Sequence, residues 1–261
     1  MLSNHSFPMV SIIVLNFNGC EVLRECLISL SMLSYPRYEV IVVDNGSSDG
    51  SVEMVKNSFP NVKLVENKKN VGFAEGNNIG VRFAKGKYIA FLNNDAISSH
   101  CWLQELVNTA EKDSKIAIVG SKIYKFGSKV IDSAGGVITY PLGLAPGRGA
   151  GEIDIGKYDR VEEVGYVGGA AFLIRKDIFE KLGGFDSLYF CYHEETDLCW
   201  RARLAGYKVV YNPNAIVYHR VSYTSKESYF KIYHINRNRI ITNIKNLGTK
   251  NLCYWAFSEA I

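Results

Sequence analysis

Through its first hundred residues the chain alternates between two hydrophobic periods. Apolar, β-branched runs at 9–15 (MVSIIVL), 39–44 (EVIVVD), 62–66 and 87–92 (KYIAFL) show little polar alternation, as expected of strands buried on both faces of a parallel sheet. Between them the spacing becomes helical. Leu23, Leu27 and Leu30 share one face, residues 72–85 read as a helix, and Leu103, Leu106, Val107 and Ala110 repeat over 101–111. Repeated strand–helix units predict an α/β fold with a Rossmann-like, mostly parallel sheet flanked by helices. The second half is less regular. A Gly/Pro-rich stretch at 135–156 predicts a loop or irregular hairpin, followed by a strand at 170–175, a short helix ending at LGGF, an acidic helix, and two strands, KVVYN and AIVYH. This half reads as a mixed-sheet extension of the same body.

Composition narrows the class. The chain has 261 residues, of which 47% are hydrophobic and 21% charged, an ordinary globular balance. The start lacks the basic and apolar regions of a signal peptide, and no apolar run approaches the ~18 residues of a membrane span. Six scattered cysteines without a Cys-x-x-Cys pair predict reduced thiols in a cytoplasmic protein rather than disulfides or zinc. From Arg220 to Lys250 seven basic residues face one acid, Glu227. Such a tail suits phosphates or an anionic membrane. Nucleic acid is excluded as a partner because no recognition motif accompanies the charge.

Polar residues gather where the apolar strands end: Asn16 and Asn18 after the first, Asp44 and Asn45 after the second, Asn93, Asn94 and Asp95 after the fourth. Open parallel sheets bind ligands at the carboxyl ends of their strands, so one shared crevice is expected there. Asp44 and Asp95 each follow a long buried strand and are candidate site residues. Ser47, Ser48 and Asp49 are placed for a helix N-cap. Gly72, Gly76 and Gly80, continued by Ala84, leave a helix face nearly bare, against either the sheet or a ligand. The first strand is followed by no Gly-x-Gly-x-x-Gly, and no Gly-x-x-x-x-Gly-Lys loop occurs. A phosphate-bearing ligand would then need a divalent cation, which Asp95 is placed to hold. Glu194, Glu195 and Asp197 crowd into four positions, and burying them costs free energy unless they are paired. They form either a solvated helix start or a cleft carboxylate held for chemistry.

In their order, SIIVLNFNG, VIVVDNGSSDGS, NVGFAEGNNIG, YIAFLNNDA, GGAAFLIRKDIFEKLGGFD, EETDLCWRARLAGY and AIVYHRVS resemble the family 2 inverting glycosyltransferases. These have the A-type nucleotide-diphospho-sugar transferase fold, and the similarity is greatest to the branch containing bacterial rhamnosyltransferases. It spans about Val10 to Tyr223. The resemblance implies a nucleoside-diphosphate sugar donor, a glycan or lipid-linked glycan acceptor, and Mn2+ or Mg2+. It implies donor contacts from Asn18, Asp44 (at the base), Asn77, Asn93, Asn94 and Gly169, with Gly168 also giving the sugars close access to backbone. Asp95 matches the last position of the family's Asp-x-Asp metal motif, while Asn93 replaces the first carboxylate. His219 matches a histidine that reaches the metal or diphosphate; a structural histidine is the other reading. Glu195 takes the place of the family's usual Asp as general base, and Glu194 would orient a neighbour or the acceptor. Asp197 is expected only to suit the helix N-terminal dipole.

The implied organisation is a catalytic domain over 1–225, with a nucleotide-binding half at about 9–120 and an acceptor half at about 121–225. A basic amphipathic helical segment, 226–261, follows. There Phe230, Tyr233, Ile240, Ile241 and Ile244 recur at helical spacing among Lys231, Arg237, Arg239 and Lys245. Either the helix packs on the body with its lysines exposed, or its basic surface meets anionic lipid at the inner face of the cytoplasmic membrane. Two other functions compete. A nucleotidyltransferase would want a glycine-rich basic loop, which NFNGCEVLREC lacks. A non-catalytic nucleotide-sugar or glycan module is compatible with Asn93 and Glu195.

Overall fold

A computed structural model describes residues 7–140, 142–220 and 228–258. In chain order the elements are β1 (Val10–Asn16), α1 (Cys20–Ser31), β2 (Tyr38–Asp44), α2 (Ser51–Ser58), β3 (Lys63–Glu66), α3 (Gly72–Val81) and β4 (Tyr88–Asn93). After them come β5 (Ala96–Ser98), α4 (Trp102–Ala110), β6 (Ile116–Lys125), β7 (Ile131–Ser133), β8 (Glu162–Glu163), β9 (Ala171–Arg175) and α5 (Lys176–Lys181). The C-terminal part adds α6 (Glu194–Leu204), β10 (Lys208–His219), α7 (Ser228–Asn246) and α8 (Thr249–Ser258). Lys226, Glu227 and the expected boundary at 225/226 lie outside the described residues.

One sheet runs β3-β2-β1-β4-β9-β6-β10-β5, with β7 on β6 and β8 on β10. The first four strands are mutually parallel, as their apolar runs predicted. The register sets their exits level, Asn16 opposite Asp44 and Leu15 opposite Asn93. β9 enters antiparallel between β4 and β6, so the Gly168–Ala170 approach arrives beside Asn93, whose amide donates to the Ala170 carbonyl at 2.9 Å. The sheet is therefore mixed through its centre as well as its C-terminal half. Apolar clusters cover both faces, one under α1 and α4 and the other under α3, α5 and α6.

Several local expectations change. β6 is absent from the expected strands, and Gly120, Ser121 and Lys122 interrupt its apolar run. Gly120 is needed where Val167 crosses, since a Cβ would lie 2.4 Å from its Cγ1. Lys122 is buried but ion-paired with Asp154 and Asp159. KVVYN and AIVYH form one strand, β10, whose register shifts between Asn212 and Ile216 around Pro213, where no ladder amide is available. The N-cap position of α2 is Gly50 rather than Ser47, Ser48 or Asp49. Asp49 still accepts from the Ser51 amide at the start of α2 at 3.1 Å, and its other oxygen accepts from the Cys20 amide at 2.8 Å, closing the start of α1. The glycine row faces protein: a Cβ at Gly76 would meet Leu15 at 2.5 Å, and one at Gly80 would meet Ile13 at 2.7 Å.

The largest change concerns α7. On the reading in which α7 packs on the body its apolar side chains would face inward, yet Tyr233 is 62% and Ile244 56% exposed. Asn238, Thr242, Asn243 and Asn246 are buried in their stead. The inner face is polar because it meets polar groups. Thr242 bonds the Tyr189 hydroxyl at 2.9 Å, and Asn246 donates to Asp197 at 2.9 Å. Asp197 is thus no solvated helix-end charge. It is fully buried, and Arg201 at 2.7 Å and Lys245 at 3.0 Å neutralise it. Such a pair is costly to leave half-made.

Candidate active site

The level strand exits open into one cavity of about 1140 Å³. Asn18, Asn93, Asn94, Asp95, Gly169, Glu194, Glu195 and His219 all line it. Two expected donor-binding residues do not. Asp44 is buried beside the cavity, its carboxylate accepting from Asn16 and from the Gly46 and Ser47 amides at 2.8–3.0 Å. It shapes the turn, and its remaining lone pairs are what could still meet a base. Asn77 is buried and donates along α3 to the Phe73 carbonyl at 3.0 Å. Asn18, at φ 49°, is held in its left-handed turn by its amide donating to Ser47 and its side chain accepting from Ser48.

At one place in the wall β4 and β10 end together. His219 Nε2 lies 3.1 Å from Asp95 Oδ1, and Nδ1 lies 2.9 Å from Asp132 Oδ2. Burial opposes charge on the ring, but hydrogen bonds to Asp132 and Asp95 outweigh it and raise the pKa to about 9. His219 is therefore an imidazolium at neutral pH. Asp132, on β7, escaped the sequence reading. It sits in the middle of β7, not at a strand exit, and reaches the cavity because β7 pairs antiparallel with β6.

Does this wall suit a divalent cation? Among the described residues no three His, Cys, Asp or Glu side chains converge on one point. Asp95 and His219 supply two donors, and Asp132 already holds the far ring nitrogen, as partners of metal-bound histidines do. Mg2+ is often held by one or two carboxylates, with waters and ligand phosphates completing its shell. The donor set fits such an ion, with the Nε2 proton displaced.

Elsewhere in the lining, Glu194 and Glu195 begin α6. Burial, then the neighbouring Glu195 charge, pushes the Glu194 carboxyl well above the usual range; burial also raises Glu195. Among the described residues the Glu194 Oε2 has no hydrogen-bond partner. Glu195 accepts from the Thr196 hydroxyl at 3.2 Å. A Cβ on Gly169 would lie 3.3 Å from the Glu195 side chain, so glycine leaves this carboxyl its place. The loop before α6 is strained: Phe190, Tyr192 and His193 have φ of 61°, 67° and 70°. Non-glycine residues in such conformations cost about 1–3 kcal/mol each and persist only where the surroundings impose them. Phe190 also closes α3, its carbonyl accepting from Phe73 and Ala74. Gly72, at φ 86°, is required there, because a Cβ would lie 2.6 Å from the Phe190 ring.

A family model described as Glycosyl transferase family 2 matches residues 11–183. The chain is 27% identical to an N-acetylglucosaminyl-diphospho-decaprenol L-rhamnosyltransferase of Mycobacterium tuberculosis, covering 83% of this chain and 78% of that one. It is 30% identical to the uncharacterized protein y4gI of Sinorhizobium fredii over 82% of its own length, but spans only 25% of that relative. A mannosyltransferase from Pyrobaculum calidifontis, solved with GDP-Man and Mn2+, superposes with a TM-score of 0.70 at 20% identity, over 98% of this chain and 70% of that one. At that identity the likeness concerns the fold, and the expected glycosyltransferase A-type architecture is observed. The rhamnosyltransferase bears on the family and not on a branch within it.

Proposed function

Because the chain belongs to glycosyl transferase family 2, we propose that it moves a sugar from a nucleoside diphosphate to a hydroxyl of a glycan or lipid-linked acceptor, with inversion. The observation carrying this reading is the single cavity that holds both a raised carboxyl pair and the Asp95–His219–Asp132 wall. Glu195 takes the proton of the acceptor hydroxyl as that oxygen bonds to the anomeric carbon. The bond from that carbon to the diphosphate breaks, and its electrons leave with the nucleoside diphosphate. One displacement inverts the centre. Burial raises the Glu195 carboxyl and so strengthens it as a base. Gly168 and Gly169 let the sugars lie against backbone, and Asn18, Asn93 and Asn94 face the donor. Asp95 and His219 would hold a divalent cation, which when bound neutralises charge on the departing diphosphate.

The experiment is a screen of UDP-, dTDP- and GDP-sugars with Mn2+, first by thermal shift and then by nucleoside diphosphate release with glycan acceptors. One donor class should raise Tm, since a ligand that binds only the folded state stabilises it by RT ln(1 + [L]/Kd). The same class should release nucleoside diphosphate. Binding without release under any acceptor would leave a carbohydrate-binding module and overturn the enzyme.

A lipid-linked acceptor would bring the cavity to a membrane surface. What supports that part of the reading is the outer face of α7 and α8, where Tyr229, Ile232, Tyr233, Ile244, Tyr254 and Phe257 are exposed. Three of the basic residues expected there are turned to the body of the protein. Lys231 lines the cavity, Arg237 donates to the Leu188 carbonyl, and Lys245 pairs with Asp186 and Asp197. Lipid contact would thus come from side-chain insertion more than from charge. Co-sedimentation with phosphatidylglycerol vesicles should be lost in Ile244→Asp/Phe257→Asp; retention in that variant, or no sedimentation of the parent, speaks against membrane contact.

A further inference from the structure

We propose that Asn238, on the C-terminal helix α7, is a positioning residue for Glu195, through the left-handed loop that delivers α6. This rests on the reading of Glu195 as the base. Asn238 is fully buried, and its side-chain nitrogen lies 2.8 Å from the Tyr189 carbonyl, 2.7 Å from that of Cys191 and 2.8 Å from that of Tyr192. Those carbonyls belong to the segment in which Phe190, Tyr192 and His193 all adopt positive φ. The orientation of the amide is fixed by its surroundings. Its oxygen accepts from Arg237 at 2.7 Å, and a flipped amide would set that oxygen against three carbonyl oxygens.

A backbone turned left-handed at non-glycine residues aims its carbonyls in directions that regular structure does not satisfy. One –NH2 group gathers three of them at a single point. Its two hydrogens cannot give each a full bond, so one is shared, and the three carbonyls are held at that spacing. The next two residues in the chain after His193 are Glu194 and Glu195. The first turn of α6 therefore starts where this anchored loop ends, with no side-chain cap of its own at His193. A shift of the loop moves the Glu195 carboxyl away from Gly169, and misplacement of a catalytic group by about 1 Å can cost on the order of 10²-fold in rate.

The test is Asn238→Ala in the full chain. The expected result is a fall in kcat of about 10²-fold with donor KM nearly unchanged, because the donor-facing asparagines lie on other elements. Amide exchange over 189–193 should quicken while that of β1 and β4 stays as before. Asn238→Ser keeps one hydroxyl donor and should lie between the parent and alanine; it carries the test should alanine fail to fold. In a Glu195→Gln background Asn238→Ala should change turnover little further, since the base it positions is already gone. Faster exchange with unchanged kcat, or kcat and KM shifting together, would overturn the proposal. Normal turnover in Glu195→Gln alone would sink the base assignment instead, and the exchange data would still report on the loop.

Discussion

Glu195→Gln should lower turnover by about 10²–10⁴-fold, the usual contribution of a general base, while leaving donor-induced thermal stabilisation unchanged. Glutamine keeps the volume beside Gly169 and still accepts from Thr196, so the cavity survives the change. It loses only basicity. The raised carboxyl makes the site productive above the acidic range, so turnover of the parent should fall as pH drops and Glu195 takes up a proton. Glu195→Asp should retain part of the rate, with a shorter reach to the acceptor hydroxyl. Near-normal turnover in the glutamine variant, measured by nucleoside diphosphate release, removes Glu195 from the mechanism.

Asp95→Asn should abolish the response of activity to Mn2+ and cost about 10²-fold or more. Neutralising a leaving diphosphate is worth several kcal/mol, and each 1.36 kcal/mol is tenfold. Chelator should silence the parent in the same way. A second readout needs no turnover. His219, raised from 6.5 to about 9 in the folded protein, contributes stability that is complete below pH 6.5 and lost as pH rises through 9. The amount is on the order of 3 kcal/mol for the metal-free parent. Asp95→Asn removes one of the two carboxylates that hold the ring charged, so the fall in Tm between pH 6.5 and 9 should shrink in chelator. Metal dependence that persists unchanged in Asp95→Asn overturns the assignment.

What the sequence disclosed followed from local regularity. The apolar runs of β1 to β4 and the polar residues ending them were enough to locate the cavity. The crowding of Glu194, Glu195 and Asp197 called for an explanation, and the family resemblance picked Glu195 from among them. What stayed hidden depends on partners distant in the chain. Lys122 reads as a strand breaker until Asp154 and Asp159 are seen beside it. Asp132 gains meaning only through His219, 87 residues later. The stripe Asn238, Thr242 and Asn246 has helical spacing as regular as that of the isoleucines, but apolar periodicity names the buried face only where the neighbour is apolar. Here the neighbours are carbonyls and a carboxylate.

That stripe gives α7 an attachment of an unusual kind. Apolar surfaces cohere by area and permit sliding, whereas hydrogen bonds are directional and lapse when a register slips. A shift of α7 by one residue would break its links to the loop carbonyls, to Tyr189 and to Asp197 together. The helix is thus seated like a key, in one rotational and axial setting, while its outward side is free of any part in that fit. Substitutions on the outer side should therefore leave the position of the Glu195 carboxyl unchanged.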